Sequence, residues 1–200
     1  MIKKKESFLQ FLSSWNKLSN FTIPKHHIEI ANWLEKLYFS DNRRGLLMAF
    51  RNSGKSTLVG LFCAWILLLN PNDRIVIVSA DTRLATKMSR HIRRIVERHP
   101  LTNCLIPKKK EEWAGCTFSV DRTQNNRDPS VTAFGVSAGI TGARADIVIC
   151  DDVEIPKNCN TKQKREDLRE RLIELEFILS PNGLQLYVGT PHTNDTIYQV

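Results

Sequence analysis

Residues 44–69 combine three features in an order that few folds accommodate. The apolar run RGLLMAF at residues 44–50 predicts a short buried strand, and the longer apolar run at residues 55–69 predicts a helix. The loop between them contains Gly54, Lys55 and Ser56. A loop that leads from a strand into a helix N-terminus presents backbone N–H groups to an anion, and the lysine and the hydroxyl add a charge and a magnesium ligand. The segment therefore predicts a phosphate-binding loop.

This loop begins with Ala49, where the phosphate-binding motif has its first glycine. Alanine is the smallest replacement, and at the end of a strand the position does not need the positive φ angle that favours glycine. We therefore expect the loop to bind nucleotide phosphates, with the Arg51 guanidinium as a further contact to the phosphates or to a neighbouring acid. The alternative is a plain helix cap with Arg51 as a solvated charge. The candidate nucleotide-binding residues are Ala49, Phe50, Arg51, Asn52, Ser53, Gly54, Lys55, Ser56 and Thr57.

The rest of the chain alternates between apolar runs and helical patterns. Strands that are apolar throughout and alternate with helices are typical of a mostly parallel central sheet with helices on both faces. The sequence therefore predicts an α/β fold, with residues 1–43 as a helical lead-in and residues 44–200 as the core. The further predicted strands are 74–80, 116–120, 130–136, 146–150 and 184–188, and the further predicted helices are 7–18, one after Pro24, 81–98 and 161–179.

Acidic residues follow the predicted strand at 146–150. Asp151 and Asp152 come directly after it, at the sheet edge where open α/β folds bind ligands, and Glu154 is two residues further on. Asp151 would hold magnesium together with Ser56, and Asp152 or Glu154 would polarise an attacking water. The residues leave open which of the two is the catalytic carboxylate. Taken alone, such acids would be interpreted as caps of the next turn.

Arg144 precedes the same strand. An arginine from a neighbouring subunit can stabilise the charge that develops during phosphoryl transfer, which gives Arg144 a candidate catalytic role. A surface salt bridge is the alternative.

Three segments of the chain are informative together: AFRNSGKST at 49–57, VSAGITGARADIVICDDVEIPKN at 136–158 and LYVGTPHTNDTIY at 186–198. They resemble the ATPase half of the terminase large subunit, the DNA-packaging motor of tailed bacteriophages, and the closest likeness is to the short-tailed phage type. The family characteristically has a deviant phosphate loop with an internal arginine, which Arg51 matches.

The resemblance implies a P-loop NTPase of the additional-strand, catalytic-glutamate type, which uses ATP and Mg²⁺ to move double-stranded DNA into a procapsid. It implies that Gly189 and Thr190 form a coupling motif that senses the γ-phosphate, and that Arg144 reaches a neighbouring subunit's site. It also implies a homo-oligomeric ring, a small terminase subunit and a portal protein as partners, and the cytoplasm of the bacterial host as location.

The sequence departs from the family at two places. His26 and His27 lie where family members often have a glutamine that recognises adenine, so the resemblance implies an adenine contact for these histidines; the alternative is that they only begin the helix after Pro24. The chain also stops at Val200, before the family's nuclease domain, so we expect no nuclease activity from it.

The net charge of +8 favours a polyanionic partner. A membrane is the poorer choice, because the longest apolar run, 58–69, is well short of the roughly 20 residues that span a bilayer. The five cysteines are scattered without a CxxC pair, which argues for reduced thiols and against a zinc site.

On the predicted helix 81–98, four basic residues recur at helical spacing and form either a duplex DNA contact or a solvated face. They are Arg83, Lys87, Arg90 and Arg94; residues 108–110, three lysines, are a second candidate.

Three other functions remain open at this point. An inactive or truncated prophage relic would bind nucleotide or DNA without motor function, and Asp152 at the usual place of a glutamate favours it. A helicase-like translocase needs a second motor domain, for which 200 residues leave no room. A small-molecule kinase would turn over ATP without DNA, and the Gly189-Thr190 coupling motif argues against it.

Overall fold

A computed structural model describes residues 6–108, 113, 116–140, 142–191 and 195–198, so that Lys109 and Lys110 of the candidate basic loop lie outside the described residues. The helices are α1 (Phe8–Leu18), α2 (Lys25–Phe39), α3 (Lys55–Leu69), α4 (Thr82–Arg98), α5 (Pro156–Cys159) and α6 (Lys162–Ile173). The strands are β1 (Arg44–Met48), β2 (Ile75–Ser79), β3 (Thr117–Phe118), β4 (Val131–Gly135), β5 (Ala145–Asp151) and β6 (Leu179–Gly189). Among the described residues, short 3₁₀ turns cover Asn103–Leu105 and Glu174–Phe177.

The described strands form one sheet in the order β1-β6-β5-β2-β4-β3. Every neighbouring pair is parallel except the short antiparallel pair β3 and β4. Strand β6 lies between β1, which leads into the phosphate loop, and β5, which ends in the acids. An extra strand at this place defines the additional-strand class, so the predicted fold class is confirmed.

The sheet is covered on both faces, as its apolar strands require. Successive side chains of a strand point to opposite faces. Ile75 and Ile77 of β2 accordingly join the hydrophobic cluster under α1 to α4, whereas Val76 and Val78 join a second cluster with α6 and Tyr198. Helix α3 is buried on nearly all sides, which explains why it is apolar around its whole circumference. No helix of the described residues is long and apolar enough to cross a membrane.

The predicted helix at 161–179 extended too far at its C-terminal end. Helix α6 ends at Ile173, a 3₁₀ turn follows, and β6 begins at Leu179 rather than at residue 184. Leu168, Leu172 and Leu175 keep the apolar face of a helix, and all three pack in the second cluster, so the pattern gave no stop signal. Pro181 disfavours helical conformation at the residue before it, and an irregular register near residues 145–147 of β5 accommodates the early part of β6.

His99, at the C-terminus of α4, connects the lead-in helix α1 to the core. It is fully buried, and its ring stacks on Phe11 with centroids 3.6 Å apart. Its Nδ1 accepts from the backbone N–H of Leu101 at 3.2 Å, so Nε2 carries the proton and donates to the Phe11 carbonyl at 2.9 Å. Burial lowers the pKa of His99 below its ordinary value, against the opposing effect of the Phe11 bond. The folded state therefore holds a neutral imidazole.

We expect the free energy of unfolding to fall as the pH drops below about 6.5, the pKa of an unperturbed histidine. The pKa of His99 is lower in the folded state than in the unfolded state, so the unfolded state binds more protons below pH 6.5. The stabilising contribution of the neutral His99 ring is therefore complete only above this pH. One such group changes stability by at most about 1.4 kcal/mol per pH unit. Urea unfolding at pH 7.5 and 5.5 should show a smaller pH effect in His99→Gln than in the unsubstituted chain; equal pH effects would contradict the assignment.

Candidate functional site

A cleft with a volume of about 470 Å³ lies at the carboxyl ends of β1, β5 and β6. It brings together the three segments that the sequence singled out: the loop before α3, the acids after β5 and Thr190 after β6. Because these strands are parallel neighbours, their carboxyl ends meet at one sheet edge, which is where open α/β folds bind ligands. The lining residues are Arg51, Asn52, Ser53, Gly54, Lys55, Ser56, Thr57, Leu84, Asp152, Ile155, Pro156 and Thr190.

The loop tolerates Ala49 because its left-handed residues lie elsewhere. Positive φ angles occur at Asn52 (65°) and at Gly54 (80°), and Ala49 has none. Asparagine is among the non-glycine residues that adopt this region most readily. Ala49 instead continues the strand edge: its N–H donates to the Gly189 carbonyl at 3.4 Å and its carbonyl accepts from the Thr190 hydroxyl at 3.0 Å.

Lys55, the first residue of α3, lies at the centre of the cleft and is 8% exposed. Its Nζ donates to Thr190 Oγ1 at 3.2 Å and lies 3.8 Å from Asp152 Oδ1. The Thr190 hydroxyl accepts from Lys55 while it donates to Ala49, so it joins the two ends of the loop. A buried ammonium at a helix N-terminus attracts anions, and the Asp152 carboxylate beside it offsets part of its charge.

Two histidines from α2 hold the loop from outside. Nε2 of His26 and Nε2 of His27 lie 3.1 and 2.7 Å from the Ser53 carbonyl oxygen. A carbonyl only accepts, so both nitrogens carry the proton and donate. The His27 ring also packs so closely on Gly54 that an added Cβ would lie 2.7 Å from its Nε2. Both imidazoles thus contact the loop backbone, a role that the sequence did not indicate.

Asp151, the last residue of β5, is a buried acid with an unused oxygen. Its Oδ1 is buried and has no hydrogen-bond partner among the described residues. Burial, and then the charge of Asp152, raise the pKa of Asp151 to about 7, against the opposing effect of Lys55. Ser56 and Asp151 line the same hollow beside the loop. A hydroxyl and a carboxylate oxygen are hard donors that suit magnesium, so these residues fit that ion.

The two remaining acids have different environments. Asp152 lines the cleft with its side chain 42% exposed, and its backbone is left-handed with φ of 46°. Glu154 is fully buried, and its Oε2 accepts from the Thr196 hydroxyl at 2.9 Å and from the Ile197 N–H at 2.8 Å. Glu154 does not line the cleft and instead holds the segment that follows β6. Of these two acids, Asp152 is therefore the one that faces the cleft.

The candidate arginines and the basic stripe lie at the surface. Arg51 is exposed and lines the cleft, whereas Arg144 is exposed and does not. The four basic residues of α4 are all exposed, and they line one shallow groove with a volume of about 610 Å³ beside the cleft. They are Arg83, Lys87, Arg90 and Arg94.

A family model described as the N-terminal part of the T4likevirus-type terminase large subunit matches residues 46–168. This chain belongs to the large terminase subunit family. The family resemblance is thereby confirmed: the matched range covers the segments at 49–57 and 136–158, and the segment at 186–198 lies beyond it. The matched range contains the phosphate loop, α4 and the acids after β5.

Similar proteins place this terminase chain within the family. The large terminase subunit of Enterobacteria phage T3 is 35% identical over 198 residues, which cover 98% of the chain but 33% of that relative. The chain thus spans about a third of the relative's length. The large terminase ATPase domain of Thermus phage P74-26 is similar with a TM-score of 0.52 at 17% identity, over 90% of this chain and 70% of that one. S. cerevisiae Dbp5, solved with Gle1 and IP6, is similar with a TM-score of 0.58 at 12% identity, over 92% of this chain and 45% of that one. At these identities the structural likenesses show the fold.

Proposed function

We propose that this terminase chain is an ATP-hydrolysing motor domain that couples Mg-ATP hydrolysis to the movement of double-stranded DNA into a procapsid. One observation carries the proposal: Lys55 Nζ is held between Thr190 and Asp152, at the point where the phosphate loop meets the carboxyl ends of β5 and β6. This arrangement combines an anion site, a carboxylate and a sensor hydroxyl in one cleft. A chain that only bound DNA would have no use for it.

In the proposed reaction, the N–H groups of the loop and the Lys55 ammonium bind the β- and γ-phosphates. Ser56 and Asp151 would hold magnesium, which neutralises charge on the phosphate oxygens. Asp152 orients the attacking water and accepts its proton. Thr190 is hydrogen-bonded to Lys55 and to the Ala49 carbonyl, so that its hydrogen bonds change when a γ-phosphate binds Lys55. This change would shift the end of β6, which Thr190 follows.

Two arginines complete the proposed site. Arg51 lines the cleft and would contact the phosphates directly. Arg144 is exposed outside the cleft lining, which suits a residue that acts in the site of a neighbouring subunit. The proposal therefore includes a homo-oligomeric ring, and the family supports a small terminase subunit and a portal protein as partners in the host cytoplasm.

The proposed DNA contact is the exposed basic groove of α4. The groove and the cleft share Leu84 in their linings, so a bound duplex would lie next to the site of hydrolysis. The charged side chains of the groove lining are arginine and lysine, and the lining has no phenylalanine, tyrosine or tryptophan, which suits backbone phosphates better than stacked single-stranded bases.

Arg90→Gln and Arg94→Gln should each weaken binding to duplex DNA about equally for any sequence. Each lost phosphate contact should reduce the slope of log affinity against log salt by about 0.9. Titration of labelled duplex at several salt concentrations measures the slope. Arg98→Gln removes the same charge from the end of α4, outside the groove lining, and should leave the slope unchanged. Equal slopes of log affinity against log salt in all three variants would show that the DNA contact lies elsewhere.

The decisive test of the function is Mg²⁺-dependent ATP hydrolysis with and without linear duplex DNA, measured over a range of protein concentrations. We expect turnover that rises with DNA and also with protein concentration, since a neighbour's Arg144 is supplied only on assembly. The second candidate is an inactive prophage relic that binds nucleotide or DNA, which Asp152 at the usual place of a glutamate supports. Nucleotide binding without turnover at any protein concentration would favour it.

A further inference from the structure

A second hollow adjoins the cleft and lies between α3, α4 and the end of β5; it shares Ser56, Thr57, Leu84 and Asp152 with the cleft lining. Its volume is about 300 Å³, and Ser56, Asp151, Lys87, Met88 and His91 are among its lining residues. Two buried polar atoms of this lining have no hydrogen-bond partner among the described residues, Asp151 Oδ1 and His91 Nε2. Buried polar atoms are normally paired, so the two atoms together indicate polar contents for the hollow.

His91 is held in this place by close packing between two helices. It belongs to α4, and its ring lies against Gly60 of α3, where an added Cβ would come within 2.6 Å of its Cδ2. Only a glycine permits this approach, because any side chain at position 60 would meet the ring. The helix that begins at the phosphate loop and the helix that carries the basic groove therefore meet at the His91 ring.

We propose that His91 is a positioning residue for the cation side of the nucleotide site, where its Nε2 hydrogen-bonds water around a magnesium ion held by Ser56 and Asp151. This inference rests on the proposed function, since it requires that the site bind magnesium with nucleotide. Magnesium keeps several of its waters in proteins, and residues that bond to the outer shell orient its ligands. Neither the phosphate-loop motif nor the acids after β5 predict a histidine in this role.

The position of His91 also connects DNA to the nucleotide. Lys87, one turn earlier on α4, lines both the hollow and the basic groove, and His91 does so as well. A duplex bound in the groove would therefore act on the same helix turn that contacts the magnesium water. If bound DNA changes the affinity of the chain for magnesium, then magnesium must change the affinity of the chain for DNA by the same factor, because the two binding equilibria are thermodynamically linked.

The test measures the Mg²⁺ concentration that gives half-maximal ADP binding, followed by calorimetry on the 200-residue chain at fixed pH. His91→Leu removes both ring nitrogens and should raise this concentration about tenfold, in the range found for outer-shell residues. His91→Gln can place an amide near the Nε2 position and should stay within about threefold. His91→Asn reaches the Nδ1 position and should behave like His91→Leu. Met88→Leu, in the same hollow, is the matched packing control and should leave the concentration unchanged.

Duplex DNA should shift the Mg²⁺ concentration in the unsubstituted chain and leave it unshifted in His91→Leu. If His91→Leu needs no more Mg²⁺ than the unsubstituted chain, while Lys55→Ala loses Mg-ADP, the role of His91 is wrong and the proposed function stands. If Lys55→Ala binds Mg-ADP normally, the proposed function itself fails. Should His91→Leu not fold, as judged by circular dichroism, the comparison of His91→Gln with His91→Asn decides: equal Mg²⁺ requirements overturn the proposal.

Discussion

Lys55→Ala should lower the kcat/KM for ATP hydrolysis by a factor on the order of 10² to 10³, which is the usual effect of removing one charge-stabilising contact from a transition state. The Lys55 ammonium is the buried cation of the cleft lining, 8% exposed and fixed by Thr190 Oγ1 at 3.2 Å. Its removal leaves the phosphate oxygens without their point charge and Thr190 without its donor. The measurement is steady-state phosphate release with Mg²⁺ and saturating duplex DNA.

Two controls separate this result from a folding defect. Lys17→Ala removes an exposed lysine in the last turn of α1 and should leave kcat/KM unchanged. Circular dichroism of Lys55→Ala should show a folded chain, because α3 is held by its apolar surroundings and not by the lysine. A folded Lys55→Ala variant with full turnover would mean that the observed ATPase activity does not come from this cleft.

Local sequence predicted the parts of the site that adjoin a single strand end. The phosphate loop and the acids after β5 could be placed because a buried strand followed by polar residues predicts the carboxyl edge of a sheet. Ala49 was correctly expected to need no positive φ angle, since it ends a strand. These features depend on a few neighbouring residues, and so a local pattern contains them.

Contacts between distant segments could not be predicted in the same way. His27 reaches the Ser53 carbonyl from a helix 26 residues earlier, and Glu154 is bonded to Thr196, 42 residues later. Nothing near either residue in the sequence indicates its partner. The start of β6 was missed for a related reason: Leu175 and Ile178 are buried by tertiary packing that mimics the apolar face of a longer helix. When burial depends on residues that are distant in the sequence, the local pattern cannot predict it. The local pattern therefore could not tell which of Asp152 and Glu154 would be buried and which would line the cleft.

Asp152→Asn should lower the rate of ATP hydrolysis by about 10² to 10⁴, the range of a general base, while nucleotide binding stays within a few fold. The amide cannot accept the proton of the attacking water, yet it keeps the size of the side chain and the left-handed backbone at φ of 46°, which asparagine also tolerates. Single-turnover hydrolysis beside ADP binding by calorimetry separates the chemical step from affinity.

Glu154→Gln gives the opposite expectation and so decides between the two acids. Glu154 is fully buried and its Oε2 holds Thr196 and Ile197, so the amide should chiefly destabilise the fold, by about 1.5–3 kcal/mol for hydrogen bonds to a charged group. Its single-turnover rate should stay within about threefold of the unsubstituted chain at a temperature where both are folded. If Glu154→Gln instead loses a hundredfold in rate with its stability intact, Glu154 is the catalytic carboxylate and must leave its bonds to Thr196 and Ile197 during turnover. We expect this mechanism to be the less favourable one, because the buried Glu154 carboxylate would have to break its hydrogen bonds to Thr196 and Ile197 in every cycle. Asp152, in contrast, already lies in the cleft, with Oδ1 3.8 Å from Lys55 Nζ.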